Sequence, residues 1–208
     1  MPAIVALLAL VFWFRPPPEP DYQGRTVSEC FYSLTSGDST EQSHARTAIK
    51  HMGPAAVPFL MRQLTLKHTR LHNRAIAWLN RFPHVQVTTD FDRFECALSC
   101  LRLLGPDAEA AVPDLIKLAR HPNLHTSQSA VILLGDIHRR PESTVPLLTE
   151  LARSDDLTMR DAAVQALGNF GPAAQSAVPV LLASLPAESN FLLRGRIATV
   201  LEQIADLP

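Results

Sequence analysis

Two cysteines one helical turn apart (Cys96 and Cys100), an acidic pair (Asp155-Asp156) and a basic pair (Arg139-Arg140) are the residues that bear most directly on chemistry. Thiolates ligate metals and act as nucleophiles, but a metal site here needs His or acidic partners at ligand spacing, and none accompanies the cysteines. An i, i+4 pair on one helix is also poorly placed for a disulfide, so both cysteines read as small buried hydrophobes. Asp155-Asp156 falls just before an apolar helical stripe, where an acidic side chain caps backbone N–H groups, and that reading outweighs a catalytic one. Arg139-Arg140 falls at the end of another stripe, where positive charge suits the helix dipole. Arg160, Arg194 and Arg196 fall at the starts of first helices, where they face solvent or pair with a loop acid. Signatures of established catalysts are absent. No His is followed by Glu, and Gly-x-Ser-x-Gly, phosphate-binding loops, Cys-x-x-Cys and His-Glu-x-x-His do not occur. The residues point to no enzyme activity, and no cofactor or metal is implied.

Charge is the other chemical signal. The net charge of −1 hides an asymmetry. From Gln42 to Thr89 there is no Asp or Glu, while that stretch carries Arg46, Lys50, Arg62, Lys67, Arg70, Arg74 and Arg81 with five of the eight histidines. From Asp90 onward fifteen acids face ten bases, a net of −5. A positive surface without counter-charges attracts nucleic acid or anionic lipid headgroups; a solvated face with segregated charge is the alternative. Trp78 lies among these bases, either as a core residue or as a stacking anchor. Arg62, Lys67, Arg70, Arg74, Trp78 and Arg81 are therefore the candidate partner-binding residues.

The elements that position these residues follow from a repeat. Val-Pro occurs at Val57-Pro58, Val112-Pro113, Val145-Pro146 and Val178-Pro179, the last three at one constant interval. A period in the range of roughly 20–50 residues marks a solenoid of stacked units. Shifted by that interval, Ala97, Leu98, Leu101 and Leu104 become Ala130, Val131, Leu134 and Ile137, then Ala163, Val164, Leu167 and Phe170. The spacing i, i+1, i+4, i+7 is one stripe on an α-helix, the buried face of each unit's first helix. Gly-Pro pairs at 53–54, 105–106 and 171–172 end first helices, the Gly in a left-handed cap. Val-Pro then opens second helices, Pro being tolerated in a first turn. First helices are expected near 40–52, 92–104, 126–138 and 158–170, with a last one near 190–205. Second helices are expected near 55–67, 110–120, 143–153 and 176–185. Thr126-Ser127 and Asp155 to Thr158 supply cap residues. The wider gap between Pro58 and Pro113 holds an insertion near 68–91, either a place where binding specificity sits or an inert irregular repeat.

The pattern Ala-x-x-x-Leu-Gly-x-x-Gly-Pro followed by Ala-Val-Pro-x-Leu-x-x-Leu, fullest at 163–182 and 97–118, resembles bacterial HEAT-like repeats over roughly residues 40–205. The resemblance implies an all-α fold: a right-handed α-solenoid of antiparallel helix pairs, with one helix layer convex and the other concave. It implies a scaffold for protein–protein interaction, with nucleic-acid or anionic-lipid binding through 42–89 as the alternative. Some phycobilin lyase subunits and DNA glycosylases share such repeats. Many bacterial members sit behind an N-terminal membrane anchor.

Residues 2–14 form an uncharged apolar run ending in Trp13 and Phe14, with Arg15 beyond it. They read as an N-terminal hydrophobic helix at 1–14 that anchors the chain to a membrane, although the run falls short of a full span. The bases after it lean toward a cytoplasmic solenoid. Residues 15–25 read as a Pro-rich spacer and 26–208 as the solenoid, opened by a capping box at Thr26 and Glu29 and an N-capping helix.

Overall fold

The structure is a computed structural model that describes residues 19–35, 38–65 and 90–205. The chain enters through a two-strand hairpin, β1 (Asp21–Tyr22) and β2 (Arg25–Thr26), and continues into α1 (Val27–Thr35). First helices then alternate with second helices. The first helices are α2 (Ser39–Met52), α4 (Asp90–Leu104), α6 (Leu124–Ile137), α8 (Leu157–Phe170) and α10 (Phe191–Ala205). The second helices are α3 (Val57–Thr65), α5 (Val112–Leu118), α7 (Pro141–Leu151) and α9 (Val178–Ser184). Apart from the hairpin, every regular element among the described residues is helical. The hairpin is an addition to the expected fold. Its two-residue turn places Gln23 and Gly24 at φ 53° and 77°, which Gly tolerates and which matches the twist of the strands.

The predicted stripes form the core. Ala97, Leu101, Leu104, Ala130, Val131, Leu134, Ile137, Ala163, Val164, Leu167 and Phe170 are all buried, and Leu98 packs against them. First helices stack directly on one another, α8 on α6 and α10 on α8, while each second helix packs against the next first helix. The stacking is close because the Leu-Gly step recurs with the repeat. A Cβ on Gly135 of α6 would lie 2.7 Å from both Cα and Cβ of Ala166 on α8. One repeat later, a Cβ on Gly168 of α8 would meet Gln203 Oε1 at 2.7 Å and Val200 Cγ2 at 2.9 Å on α10. Glycine at this step is therefore a packing requirement of the stack.

The turns between paired helices follow two designs. After α2, α4 and α8 the Gly-Pro pair opens a 3-10 segment: Gly53–Ala56, Gly105–Ala111 and Gly171–Ala177. Gly53 and Gly171 have φ 53° and 51° with ψ −142° and −133°, so they are not in the expected left-handed helical cap. Proline disfavours helical ψ in the residue before it, and the resulting combination is open almost only to glycine. After α6 the sequence His138-Arg139-Arg140-Pro141 takes over. His138 and Arg140 are both left-handed, at φ 37° and 54°, a costly conformation for side-chain-bearing residues. Thr144, fully buried where the neighbouring repeats carry Ala111 and Ala177, donates its hydroxyl to the Arg139 carbonyl at 3.2 Å and fixes the turn. Without a 3-10 segment, α7 begins at Pro141, so Pro146 lies inside the helix rather than opening it.

Caps explain the starts of the helices. Asp38, Asn123 and Asp156 accept from the N–H groups of Thr40, Thr126 and Met159. Asn123, not Thr126-Ser127, thus caps α6: the cap must precede the first helical residue with extended backbone, and Asn123 has φ −81° and ψ 116°. The capping box at α1 is present, with Thr26 N–H donating to Glu29 and Glu29 N–H to Thr26 Oγ1.

The expected membrane localisation is corrected. No helix among the described residues is long and apolar enough to cross a membrane. Residues 2–14, on which that expectation and the N-terminal hydrophobic helix rested, lie outside the described residues, as do most of the spacer and the insertion up to Thr89.

Three variants test the stacking. Gly135→Ala is expected to lower stability by about 1–3 kcal/mol, because backbone rather than a flexible side chain blocks the new methyl. Gly168→Ala should cost less, since Gln203 can swing aside. Leu167→Ala should cost about 2–5 kcal/mol as a core truncation. Urea melts measure all three; equal midpoints for the two glycine variants would contradict the packing described.

Candidate functional site

Aligning the second helices by their Val-Pro steps puts Pro58, Pro113, Pro146 and Pro179 in one row, and all four are exposed. A parallel row reads Arg62, Lys117, Glu150 and Ala183. The second-helix face is thus a line of rigid proline rings beside a line of changing charge. Between α3 and α5 it opens into a groove of about 340 Å³, lined by Val57, Pro58, Met61, Arg62, Thr65, Ala110 and Asp114. Val57 and Met61 give the groove an apolar floor, with Arg62 on one side and Asp114 on the other. Asp114 is held by Lys117 at 2.8 Å, a pair one turn apart on α5. Arg62 has no ion-pair partner among the described residues.

Of the sequence candidates, the structure therefore places Arg62 at a groove. Lys67, Arg70, Arg74, Trp78 and Arg81 lie outside the described residues. Arg46 and Lys50, also from the acid-free stretch, are exposed on α2, a first helix, whereas Arg62 is on a second helix. The described bases of the stretch do not converge on one surface. Val57, Met61 and Asp114 escaped the sequence reading. The alignment of the Val-Pro steps carried their signal, because it sets α3 beside α5 across the insertion.

The other chemistry-bearing residues have structural duties. Cys30, Cys96 and Cys100 are free and buried between α1 and α4. Burial pushes the Cys30 thiol up, and a hydrogen bond to Cys96 together with burial does the same for Cys100, so neither is a ready thiolate. Among the described residues no three His, Cys, Asp or Glu side chains form a metal cluster. Asp156 is a cap, and the hydroxyl of Thr158 with the N–H of Met159 holds its carboxyl below the usual range. Arg160 pairs with a loop acid, Glu188, at 3.1 Å and also donates to the carbonyls of Ser154 and Asp155. Glu188, its side chain only 7% exposed, is held low first by the N–H of Asn190 and then by Arg160. Arg196 pairs with Asp161 at 2.7 Å, and Arg140 with Glu109 at 3.0 Å. With Arg102–Asp136 at 2.8 Å and Arg120–Glu150 at 3.0 Å, these pairs join successive units and hold their register rather than supply much stability.

Comparisons with known proteins agree with this architecture. Residues 112–202 match the family model described as HEAT repeats. A solved chain of the complex of CpcE and CpcF of phycocyanin lyase from Nostoc sp. PCC7120 superposes with a TM-score of 0.55. The identity is 17%, over 84% of this chain and 96% of that one. A designed armadillo repeat protein in complex with the peptide (KR)4 gives a TM-score of 0.47 at 13% identity, over 86% of this chain and 99% of that one. No curated protein matches the sequence. The fold is a helical solenoid, and residues 112–202 of it resemble HEAT repeats.

The depressed carboxyls set a pH dependence. Asp38, Asp156 and Glu188 are lowered on folding, so the unfolded chain takes up their protons first as pH falls. Their contribution is complete above the unfolded-state range of about 4–4.5 and is lost as pH falls through the folded values. Urea midpoints measured against pH should fall steeply below about pH 4. Asp156→Asn, which keeps a capping oxygen without the charge, should make that fall shallower. An acid limb identical to the parent's would contradict the assignment.

Proposed function

We propose that this chain is a non-catalytic scaffold that holds a segment of a protein partner along its second-helix face, in a right-handed stack that makes this face the concave one. The observation that carries the reading is the groove between α3 and α5, where Val57 and Met61 offer apolar contact and Arg62 a guanidinium with no ion-pair partner among the described residues. Such a combination of an apolar anchor site and a charged rim suits peptide recognition. The cysteines are buried, Asp156 caps a helix, and Arg102, Arg120, Arg140, Arg160 and Arg196 pair with acids of neighbouring units. These roles leave binding, rather than turnover, as the use of the exposed face.

The test is capture of partners by the immobilised full chain, compared with Met61→Glu and Arg62→Glu. The same protein should be retained by the parent and reduced about tenfold or more by each variant, a loss of about 1.4 kcal/mol in binding. Urea midpoints should stay close to the parent's for Arg62→Glu, whose side chain is exposed. Retention unaffected by both substitutions, or measurable turnover of a substrate by the pure chain, would overturn the reading.

A further inference from the structure

A second groove, of about 330 Å³, opens where the hairpin lies against α2, lined by Tyr22, Gln23, Arg25, His44, Thr47 and Ala48. Its construction follows from register. Tyr22 and Arg25 are direct partners across the two strands, so their side chains leave the ribbon on the same side. On α2, residues 44, 47, 48 and 51 fall on one side of the helix by their spacing. His51 stacks on Tyr22 with ring centroids 4.7 Å apart and planes 4° from parallel, which fixes the aromatic wall. Ala48 is buried beneath. The lining thus combines a guanidinium, an imidazole, a carboxamide and a phenol over a small apolar floor.

No carboxylate lines this groove, although several acids are near in sequence. They are committed to backbone N–H groups instead. Asp21 accepts from Gly24, Glu19 from Ser28, Glu29 from Thr26 and Asp38 from Thr40. Asp38, near His44, is fixed at the helix cap by the N–H of Thr40. Glu41, one turn before His44, is not part of the lining. Among the described residues neither Arg25 nor His44 makes an ion pair, and the recess is of small-molecule size.

We infer that this groove binds a phosphate group, with the Arg25 guanidinium as its principal donor and His44 completing the contact. A guanidinium fork matches two phosphate oxygens at once, and a neighbouring imidazole adds a third donor. Thr47 and Gln23 are not counted, because the Thr47 hydroxyl already donates to the Ser43 carbonyl at 2.9 Å and the Gln23 amide to the Tyr22 hydroxyl at 3.4 Å. The site lies on the hairpin and a first helix, apart from the second-helix groove, and does not depend on the partner-binding reading.

The experiment is titration of the full chain with inorganic phosphate and with glycerol 3-phosphate, followed by amide chemical shifts. Saturable changes confined to Tyr22–Arg25 and to the turns of α2 around His44 and His51 are expected. Arg25→Gln should weaken binding by about tenfold or more, and Arg25→Lys, which keeps the charge but loses the fork, by a smaller factor. Arg46→Gln, on another side of α2, should leave affinity nearly unchanged and controls for general charge. Tighter binding of glycerol 3-phosphate would assign the site to esterified phosphate, and equal binding to the free anion. No saturable shift at millimolar phosphate, the same shifts with chloride at matched ionic strength, or equal losses in Arg46→Gln and Arg25→Gln would overturn the inference.

Discussion

The close approach of successive first helices is the constraint on which the rest of the structure depends. Gly135 leaves no room for a methyl against Ala166, and Gly168 plays the corresponding part against α10. Alanines at 97, 130 and 163 thin the helices further, and leucines at 101, 134 and 167 fill the remaining space. A stack this tight admits little drift from one unit to the next, so the repeat length stays constant over the second half of the chain. The second helices inherit their alignment from it. Prolines 58, 113, 146 and 179 form a row only because the first helices beneath them are in register.

The turns between paired helices adjust this frame locally. Where Gly-Pro is present, a 3-10 segment lowers the chain onto the second helix, and Val-Pro opens that helix. Where it is absent, His138 and Arg140 adopt left-handed backbone, held by the buried hydroxyl of Thr144 and by the Arg140–Glu109 pair. The unit keeps its place in the stack but gains a longer α7. Core packing therefore sets the repeat, and the turn chemistry decides how much of each second helix is presented.

Much of this is legible in the sequence for a physical reason. The helical stripes, the Gly-Pro stops and the Thr26–Glu29 capping box are local patterns whose geometry is nearly independent of tertiary context, and each appears where its spacing predicts. Other features depend on distant partners. The role of Gly135 cannot be read from the Leu-Gly step alone, because only Ala166 on the next helix forbids a side chain there. The cap of α6 is Asn123 rather than Thr126-Ser127, since Asn, Thr and Ser are all good caps and only the backbone at Asn123 distinguishes them. The hairpin at 21–26 is too short for any alternation to register. Arg62 stands out in the sequence for its charge, yet its position at a groove comes from α5, which lies on the far side of the insertion. The expectation of a membrane anchor rested on apolar composition in a segment outside the described residues.

The proposed reading turns on which face meets a partner. The second-helix face offers an apolar floor at Val57 and Met61 beside Arg62, which has no ion-pair partner among the described residues, while several charges between units pair with each other. Amide hydrogen exchange of the full chain, with and without its captured partner, tests this most directly. The account predicts new protection concentrated in Val57–Thr65 and Ala110–Leu118, with the first helices α6 and α8 unchanged. Protection confined to the first helices, or none on α3 and α5, would contradict it.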